Sequence, residues 1–142
     1  MEESLIVNVQ HTVDVALQFV EAINRRDLGR LDDLMTEDPV FVDLAGERAE
    51  GKAVMQEGWN GYFTQCPDYM IHISALHVID ESVVLVGRTT GSHLNLPRLD
   101  EFRESLLWVA GIRGDRVAEW RLLPDTPASY RTLRLGQAKR LV

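Results

Sequence analysis

Residues Tyr69–Thr90 of this chain read YMIHISALHVIDESVVLVGRTT. Apolar and polar side chains alternate along this stretch, and the polar run Asp80-Glu81-Ser82 divides it, so the pattern predicts two strands joined by a turn. Strand patterns follow at Phe102–Ile112 and Val117–Leu123, with Gly114-Asp115 between them. Consecutive strands joined by short turns predict an antiparallel meander in the second half of the chain.

The first half of the chain has helical periodicity instead. Apolar residues recur at spacings of three and four from His11 to Arg26, which predicts an amphipathic helix. Asp27 is placed to cap a second, shorter helix. A third helix is predicted from Gly51 to Cys66, where Pro67 ends it. Between the second and third helices, Val40–Leu44 (VFVDL) predicts a strand.

These elements predict an α+β fold, in which a cone-like, curved antiparallel sheet wraps around the N-terminal helices. Because helices cannot fill a concave sheet completely, we expect a cavity between the two layers. The chain is 45% hydrophobic and 26% charged, as is typical of globular proteins. We expect one domain over residues 1–142, with its core at about 11–135 and terminal extensions at 1–10 and 136–142. Ser92–Asp100 is the longest expected loop, and Thr126–Leu135 is expected to form a short helix.

Charge and composition argue against several classes of partner. The net charge of -7 disfavours nucleic acid, whose phosphates require a basic surface. No apolar run approaches the roughly 20 residues that span a bilayer. A single cysteine, Cys66, and an acidic N-terminus without a basic secretion signal lead us to expect a cytoplasmic protein.

The sequence also gives no pattern for a metal or a nucleotide. The histidines are not spaced with carboxylates as metal ligands are, and no glycine-rich phosphate loop is present. We therefore expect no metal and no cofactor. Four basic residues after Asp125 are interpreted as a solvated end segment, with a small anion- or partner-binding tail as the alternative: Arg131, Arg134, Lys139 and Arg140.

Three motifs resemble the nuclear transport factor 2-like superfamily. Phe19–Asp27 (FVEAINRRD) is similar to its first helix, and Gly114–Arg121 (GDRVAEWR) is similar to its last hairpin. Val42-Asp43-Leu44, followed by Gly46, is similar to its first strand. The resemblance covers about residues 11–135 and implies a cystatin-like α+β roll. Within the superfamily it is nearest to the SnoaL-like branch, which includes polyketide cyclases.

The superfamily holds enzymes of several kinds and non-catalytic modules, so function depends on individual positions. Asp43 falls where ketosteroid isomerases have their base, but Phe19 and Leu107 stand where those enzymes need oxyanion donors. Arg88-Thr89-Thr90 and Trp120-Arg121-Leu122 lack the acids of limonene epoxide hydrolases. The first-helix tyrosine of scytalone dehydratases is also absent. A SnoaL-type cyclase remains the leading enzymatic hypothesis, because it needs only a carboxylate in an apolar cavity.

Asp43 is the candidate general base, since it interrupts an apolar strand where a carboxylate is costly to bury. A strand-end aspartate bonded to the turn at Gly46 is an equally open interpretation. Arg88 shares strand parity with Val84 and Val86. It either faces the cavity and pairs with Asp43 or lies on the outer face of the sheet.

The expected ligand contacts are mostly aromatic or apolar: Phe19, Trp59, Tyr62, Phe63, Arg88, Leu107 and Trp120. Ordinary core packing is the alternative for the aromatic residues. Parity places Leu106 and Trp108 opposite to Leu107, so these two are candidates for an outer apolar patch and a homodimer interface. His77 has the parity of Ile71, which predicts a buried histidine.

The sequence thus supports a SnoaL-like pocket protein that binds a small, apolar, carbonyl-bearing molecule. Whether it is also a cofactor-independent acid–base enzyme of the lyase or isomerase type is left open. The alternative is a non-catalytic homodimeric domain for ligand binding or scaffolding.

Overall fold

The computed structural model describes residues 2–135. Its helices and strands, in chain order, are α1 (Glu2–Asn24), α2 (Leu28–Leu34), β1 (Met35–Val42), β2 (Arg48–Glu50), α3 (Lys52–Gln65), β3 (Met70–Ile79), β4 (Ser82–Thr90), α4 (Arg98–Phe102), β5 (Leu106–Arg113), β6 (Arg116–Pro124) and α5 (Pro127–Leu133). The order confirms the predicted α+β fold, with three helices and a first strand followed by a meander.

The strands form one curved, unclosed sheet in the order β2-β1-β6-β5-β4-β3. Neighbouring strands are antiparallel except β1 and β6, which run parallel with Phe41 opposite Trp120. The meander β3–β6 is therefore extended by β1, which arrives from the helical half of the chain. Helix α1 packs across β3 to β6, and α3 packs against β1 and β2.

Local chemistry accounts for several element boundaries. The Asp27 carboxylate accepts a hydrogen bond from the Arg30 backbone N–H at 3.0 Å, which confirms the predicted cap of α2. Thr126 caps α5 in the same way through Ser129 N–H, at 3.2 Å. At Gly87 any side chain would collide with the backbone carbonyl of His72, so glycine permits the close approach of β3 to β4.

The face of the sheet that packs against α1–α3, here called the helix face, carries the larger core. Its fully buried side chains include Phe19, Ile23, Leu31, Met35, Leu85, Trp108 and Trp120. Burial of large apolar side chains at this density is the main source of stability in a domain of this size.

The opposite face of the sheet carries a second, smaller core. Its buried members are Ala75, Val84, Val86, Leu107, Val109 and Leu135, and Tyr130 and Leu133 pack against them. The end of the described chain thus folds back, with α5 lying over the sheet. Because both faces are covered, both sets of alternating side chains in the central strands are apolar.

Two orientations expected from strand parity are wrong. Trp108 lies in the helix-face core, fully buried, and Leu107 lies on the opposite face under α5. Alternation correctly separates the two residues but does not identify which face the helices cover. The expected outer patch of Leu106 and Trp108 is therefore not a surface.

A β-bulge overturns the parity expected for His77. The register between β3 and β4 shifts between Ile73 and Ala75, so His77 is paired with Val84 on the opposite face and not with the residues of the helix face. His77 is buried, as expected, and its ring lies 6.3 Å from that of Tyr130 on α5.

Several boundaries differ from those expected. Helix α1 begins at Glu2, nine residues before the predicted start at His11. Phe102 belongs to α4, a short helix within the segment expected to be loop and strand. Within residues 2–135, no helix is long and apolar enough to cross a membrane. The tail residues Lys139 and Arg140 lie outside the described residues.

Candidate functional site

A cavity of about 180 Å³ lies between α3 and the part of the sheet formed by β1 and β6. Its lining is almost entirely apolar or aromatic: Phe41, Ala49, Val54, Met55, Gly58, Trp59, Tyr62, Tyr69, Trp120 and Leu122. Val54 is 51% exposed and marks the mouth of the cavity on the solvent side of α3.

Three of the sequence-predicted ligand contacts line this cavity: Trp59, Tyr62 and Trp120. Phe19 and Phe63 are not part of the lining, but they pack against two of these residues. The Phe19 ring lies 4.8 Å from that of Trp120, and the Phe63 ring stacks on Trp59 at 5.5 Å. These aromatic contacts hold the cavity walls in fixed orientations.

The polar groups of the lining are chiefly two phenols. The Tyr62 hydroxyl oxygen lies 2.9 Å from His93 Nδ1 and accepts a hydrogen bond from the His93 backbone N–H at 3.2 Å. The rings of Tyr62 and Tyr69 meet edge to face at 4.9 Å. The two side chains thus bring a pair of hydroxyl-bearing rings to one end of an otherwise apolar space.

Burial keeps both phenols in their neutral form. Desolvation raises the pKa of Tyr62 to about 12. Desolvation also raises the pKa of Tyr69 above its usual range, and the electrostatic influence of Tyr62 and Glu101 adds to this effect. At neutral pH both side chains are protonated, so they are suited to hydrogen bonding and not to removing a proton from a ligand.

Asp43 lies directly after β1, in the turn that leads to β2. One carboxylate oxygen accepts hydrogen bonds from the backbone N–H groups of Ala45 and Glu47, both at 2.9 Å. The backbone closes the same turn, with Gly46 N–H donating to the Asp43 carbonyl at 3.0 Å. Asp43 is half-buried and follows the cavity residue Phe41 by two positions, but it is not part of the cavity lining.

The other two predicted contacts lie on the opposite face of the sheet. Arg88 retains the parity of Val84 and Val86, and that face is turned away from α1–α3 and from the cavity. Its guanidinium group lies 5.8 Å from the ring centre of Phe102 on α4. Leu107 is buried beneath α5. The structure therefore does not bring either residue to the cavity or Arg88 to Asp43.

Sequence reasoning missed other lining residues, and a signal existed for two of them. Phe41 shares strand parity with Asp43, which was expected at the cavity, and Tyr69 shares parity with Ile71, so alternation groups each of them with a residue of the same face. Ala49 belongs to β2, a strand of three residues that is too short to be recognised from its pattern.

Among residues 2–135, no group of three or more His, Cys, Asp or Glu side chains is placed to hold a metal ion.

Comparison with known proteins gives one family match. The model of the SnoaL-like domain matches residues 16–122, which include all the cavity-lining residues. The search of curated proteins found no significant match to this chain.

Solved structures of the same fold are similar to this chain at low sequence identity. An uncharacterised cystatin-fold protein from Novosphingobium aromaticivorans is 19% identical, with a TM-score of 0.67 over 78% of this chain and 96% of that one. A candidate polyketide cyclase from Sinorhizobium meliloti is 17% identical, with a TM-score of 0.66 over 77% and 93%. A candidate ketosteroid isomerase from Kribbella flavida is 17% identical, with a TM-score of 0.63 over 82% and 79%. At such identities the similarity shows the fold and not the activity.

Proposed function

Because this chain belongs to the SnoaL-like domain family, within the NTF2-like superfamily, we propose that its cavity binds a small, apolar, carbonyl-bearing molecule. The observation that carries the proposal is the composition of the cavity wall, which combines apolar and aromatic side chains with two neutral phenols. Pockets of this kind bind through apolar contact and orient the ligand through a few polar groups.

The volume of the cavity limits the ligand. An apolar cavity of roughly 150 Å³ accommodates benzene, whereas drug-sized ligands occupy about 300–1,000 Å³. At about 180 Å³, the cavity suits one substituted ring. A larger polycyclic molecule would have to extend past Val54 at the mouth.

The phenols define the polar group that the ligand should carry. A neutral tyrosine hydroxyl donates a hydrogen bond well to a carbonyl oxygen. Inside an apolar cavity a carbonyl without such a donor would lose its hydrogen bonds to water, which is costly. A ketone or aldehyde is therefore favoured over a plain hydrocarbon of the same size.

Turnover is a further step that needs a base. Asp43 remains our candidate, since it lies two residues beyond Phe41 in the wall, although its carboxylate is bound within the turn. We propose ligand binding as the primary function and proton transfer by Asp43 as its catalytic extension.

The test compares two ring compounds of similar size, propiophenone and propylbenzene. Binding is followed by the fluorescence of Trp59 and Trp120, and dissociation constants are checked by calorimetry. Tyr62→Phe and Tyr69→Phe each remove one hydroxyl, and Tyr130→Phe is the matched control on the opposite face. Removing one hydrogen bond of about 0.5–1.5 kcal/mol should weaken ketone binding roughly 2- to 10-fold.

We expect wild-type protein to prefer the ketone, and at least one of the two cavity variants to lose that preference while hydrocarbon affinity stays the same. Tyr130→Phe should bind both compounds as the wild type does. Absence of binding of either compound at millimolar concentration would refute the pocket proposal. Equal binding of both compounds by all variants would refute the carbonyl preference.

A further inference from the structure

The two phenols of the cavity differ in the hydrogen bonds that they make. The Tyr62 hydroxyl has two contacts with His93, at 2.9 Å from the ring Nδ1 and at 3.2 Å from the backbone nitrogen. The Tyr69 hydroxyl makes no hydrogen bond with any of the described residues 2–135. The two tyrosines are therefore not equivalent as partners for a ligand.

The proton of the Tyr62 hydroxyl is directed at His93. A neutral imidazole has one donor nitrogen and one acceptor nitrogen. Because the imidazole nitrogen is a stronger base than a phenol oxygen, the O–H···N bond is the stronger of the two possible arrangements. Tyr62 then donates to Nδ1, and its oxygen accepts the backbone N–H of His93. With its only proton used in this way, Tyr62 has none to donate to a ligand carbonyl.

Tyr69 is buried in the cavity wall and held by its backbone. The residue is only 7% exposed. Its backbone N–H donates to the Cys66 carbonyl at 3.2 Å, and its own carbonyl accepts a hydrogen bond from Arg26 Nη2 at 2.9 Å. A buried tyrosine hydroxyl usually has a hydrogen-bond partner. The Tyr69 hydroxyl is therefore suited to donate its proton to an acceptor inside the cavity.

We propose that Tyr69 is the residue that selects a carbonyl group in the ligand, and that His93 is a positioning residue that holds the Tyr62 proton away from it. The inference rests on the proposed ligand-binding function and assigns its polar contact. With one available donor, the site suits a ligand with a single carbonyl group. A second carbonyl in the apolar cavity would lose its hydrogen bonds to water without replacement.

The ratio of the dissociation constants of propylbenzene and propiophenone measures the preference for a carbonyl. Titrations are made at about pH 8.5, where histidine side chains are ordinarily neutral. Tyr69→Phe should lower the ratio roughly 2- to 10-fold, because it removes the hydrogen bond to the ligand. Tyr62→Phe should change the two affinities in parallel and keep the ratio, because its hydroxyl bonds to His93.

The role of His93 is tested in the Tyr69→Phe background. Adding His93→Ala removes the Nδ1 acceptor and keeps the backbone N–H, so the Tyr62 proton becomes available and the preference for the ketone should return. Adding His93→Asn instead keeps an acceptor oxygen near the position of Nδ1, so the preference should stay lost. A purely structural role of His93 would change the affinities of both compounds together and would not restore the ratio.

A diketone tests the number of donors. The wild-type protein should bind 1-phenylpropane-1,2-dione more weakly than propiophenone, because only one of the two carbonyl groups finds a donor. His93→Ala alone releases the proton of Tyr62, so it should narrow this difference. A dione that binds the wild-type protein more tightly than the ketone would contradict the single donor.

Unfolding in urea without ligand tests the hydrogen bonds themselves. Tyr69→Phe removes a buried hydroxyl that has no partner, so its unfolding midpoint should equal or exceed that of the wild type. Tyr62→Phe loses both contacts with His93, and its midpoint should fall. Circular dichroism should show that both variants are folded before urea is added.

The outcomes separate this inference from the proposed function. If neither propiophenone nor propylbenzene binds, the pocket proposal fails and the assignment fails with it. If Tyr62→Phe loses the ketone preference and Tyr69→Phe keeps it, ligand binding stands and the assignment to Tyr69 is wrong. A lower unfolding midpoint for Tyr69→Phe would show that its hydroxyl is already bonded and would also overturn the assignment. If His93→Ala did not restore the preference, His93 would not control the Tyr62 proton.

Discussion

Asp43 illustrates how one carboxylate can serve structure at the edge of a candidate site. Its oxygen accepts two backbone hydrogen bonds inside the turn between β1 and β2, an arrangement in which an aspartate side chain replaces a peptide carbonyl. A side-chain oxygen is required for this, whereas a negative charge is not. The structural and acid–base hypotheses for Asp43 therefore predict different effects for two substitutions.

Asp43→Asn keeps an oxygen that accepts both N–H groups, so the free energy of unfolding in urea should change by no more than about 0.5 kcal/mol. Asp43→Ala removes the acceptor and should cost about 1–2 kcal/mol. Equal losses in the two variants would show that the charge, and not the acceptor, stabilises the turn. Unchanged stability of Asp43→Asn together with lost turnover would support the acid–base hypothesis, while unchanged ligand binding and turnover would refute it.

The sequence predicted several residues of the cavity wall, but it did not predict the hydrogen bonds that those residues make. Trp59, Tyr62 and Trp120 were expected at the cavity and line it. The contact of Tyr62 with His93 was not predictable, because it joins α3 to a loop 31 residues away in the chain. Pairings at such separations follow from the fold and leave no periodic signal in sequence.

At the scale of elements, α3 offers a direct way to fill the cavity. Gly58 lines the cavity and Gly61 does not, and a Cβ added at either would meet nothing within 4 Å. Leucine in place of either glycine should improve helix propensity by roughly 0.5–1 kcal/mol. Gly58→Leu should also occupy the space of a ligand and weaken propiophenone binding at least 10-fold.

Gly61→Leu is the control for the same change in the same helix. It should bind propiophenone with wild-type affinity and unfold at an equal or higher urea concentration. Titration of both variants by tryptophan fluorescence gives the comparison. If the two variants bound propiophenone with equal affinity, the ligand would bind outside the cavity between α3 and the sheet.

Strand periodicity could predict the meander but not its orientation. Strand β5 is buried on both faces, because α5 covers one face and α1 the other. Its consecutive residues Leu107, Trp108 and Val109 are therefore all apolar, and no polar residue alternates with them. A strand buried on both faces reads as a continuous apolar run, so the covered face cannot be identified from it. The bulge between Ile73 and Ala75 likewise leaves no mark in the alternation.

Helix α4 could not be predicted for a different reason. It spans Arg98–Phe102 only, and it has a buried glutamate where an amphipathic helix would bury a leucine. Helical periodicity is detectable over about three turns, which this helix does not have. The stretch Ser92–Asp100, which contains most of α4, was therefore expected to be a loop.

In the whole molecule, one sheet separates two apolar cores, and only one of them borders the cavity. The helix-face core borders the cavity, and the core under α5 does not. Stability and ligand binding should therefore respond to different residues. Leu107 and Leu122 make a matched pair, because they lie on the adjacent strands β5 and β6 and face opposite sides.

Leu107→Ala leaves a cavity in a fully buried site and should lower the free energy of unfolding by about 2–5 kcal/mol, with no change in propiophenone affinity. Leu122→Ala, in the wall of the cavity, should cost less stability, because its side chain is half-buried, but it should change propiophenone affinity several-fold. Urea unfolding and calorimetric titration of the two variants measure both quantities. If Leu107→Ala weakened ligand binding in the folded protein, Leu107 would be a ligand contact after all, and the separation of the two cores would not hold.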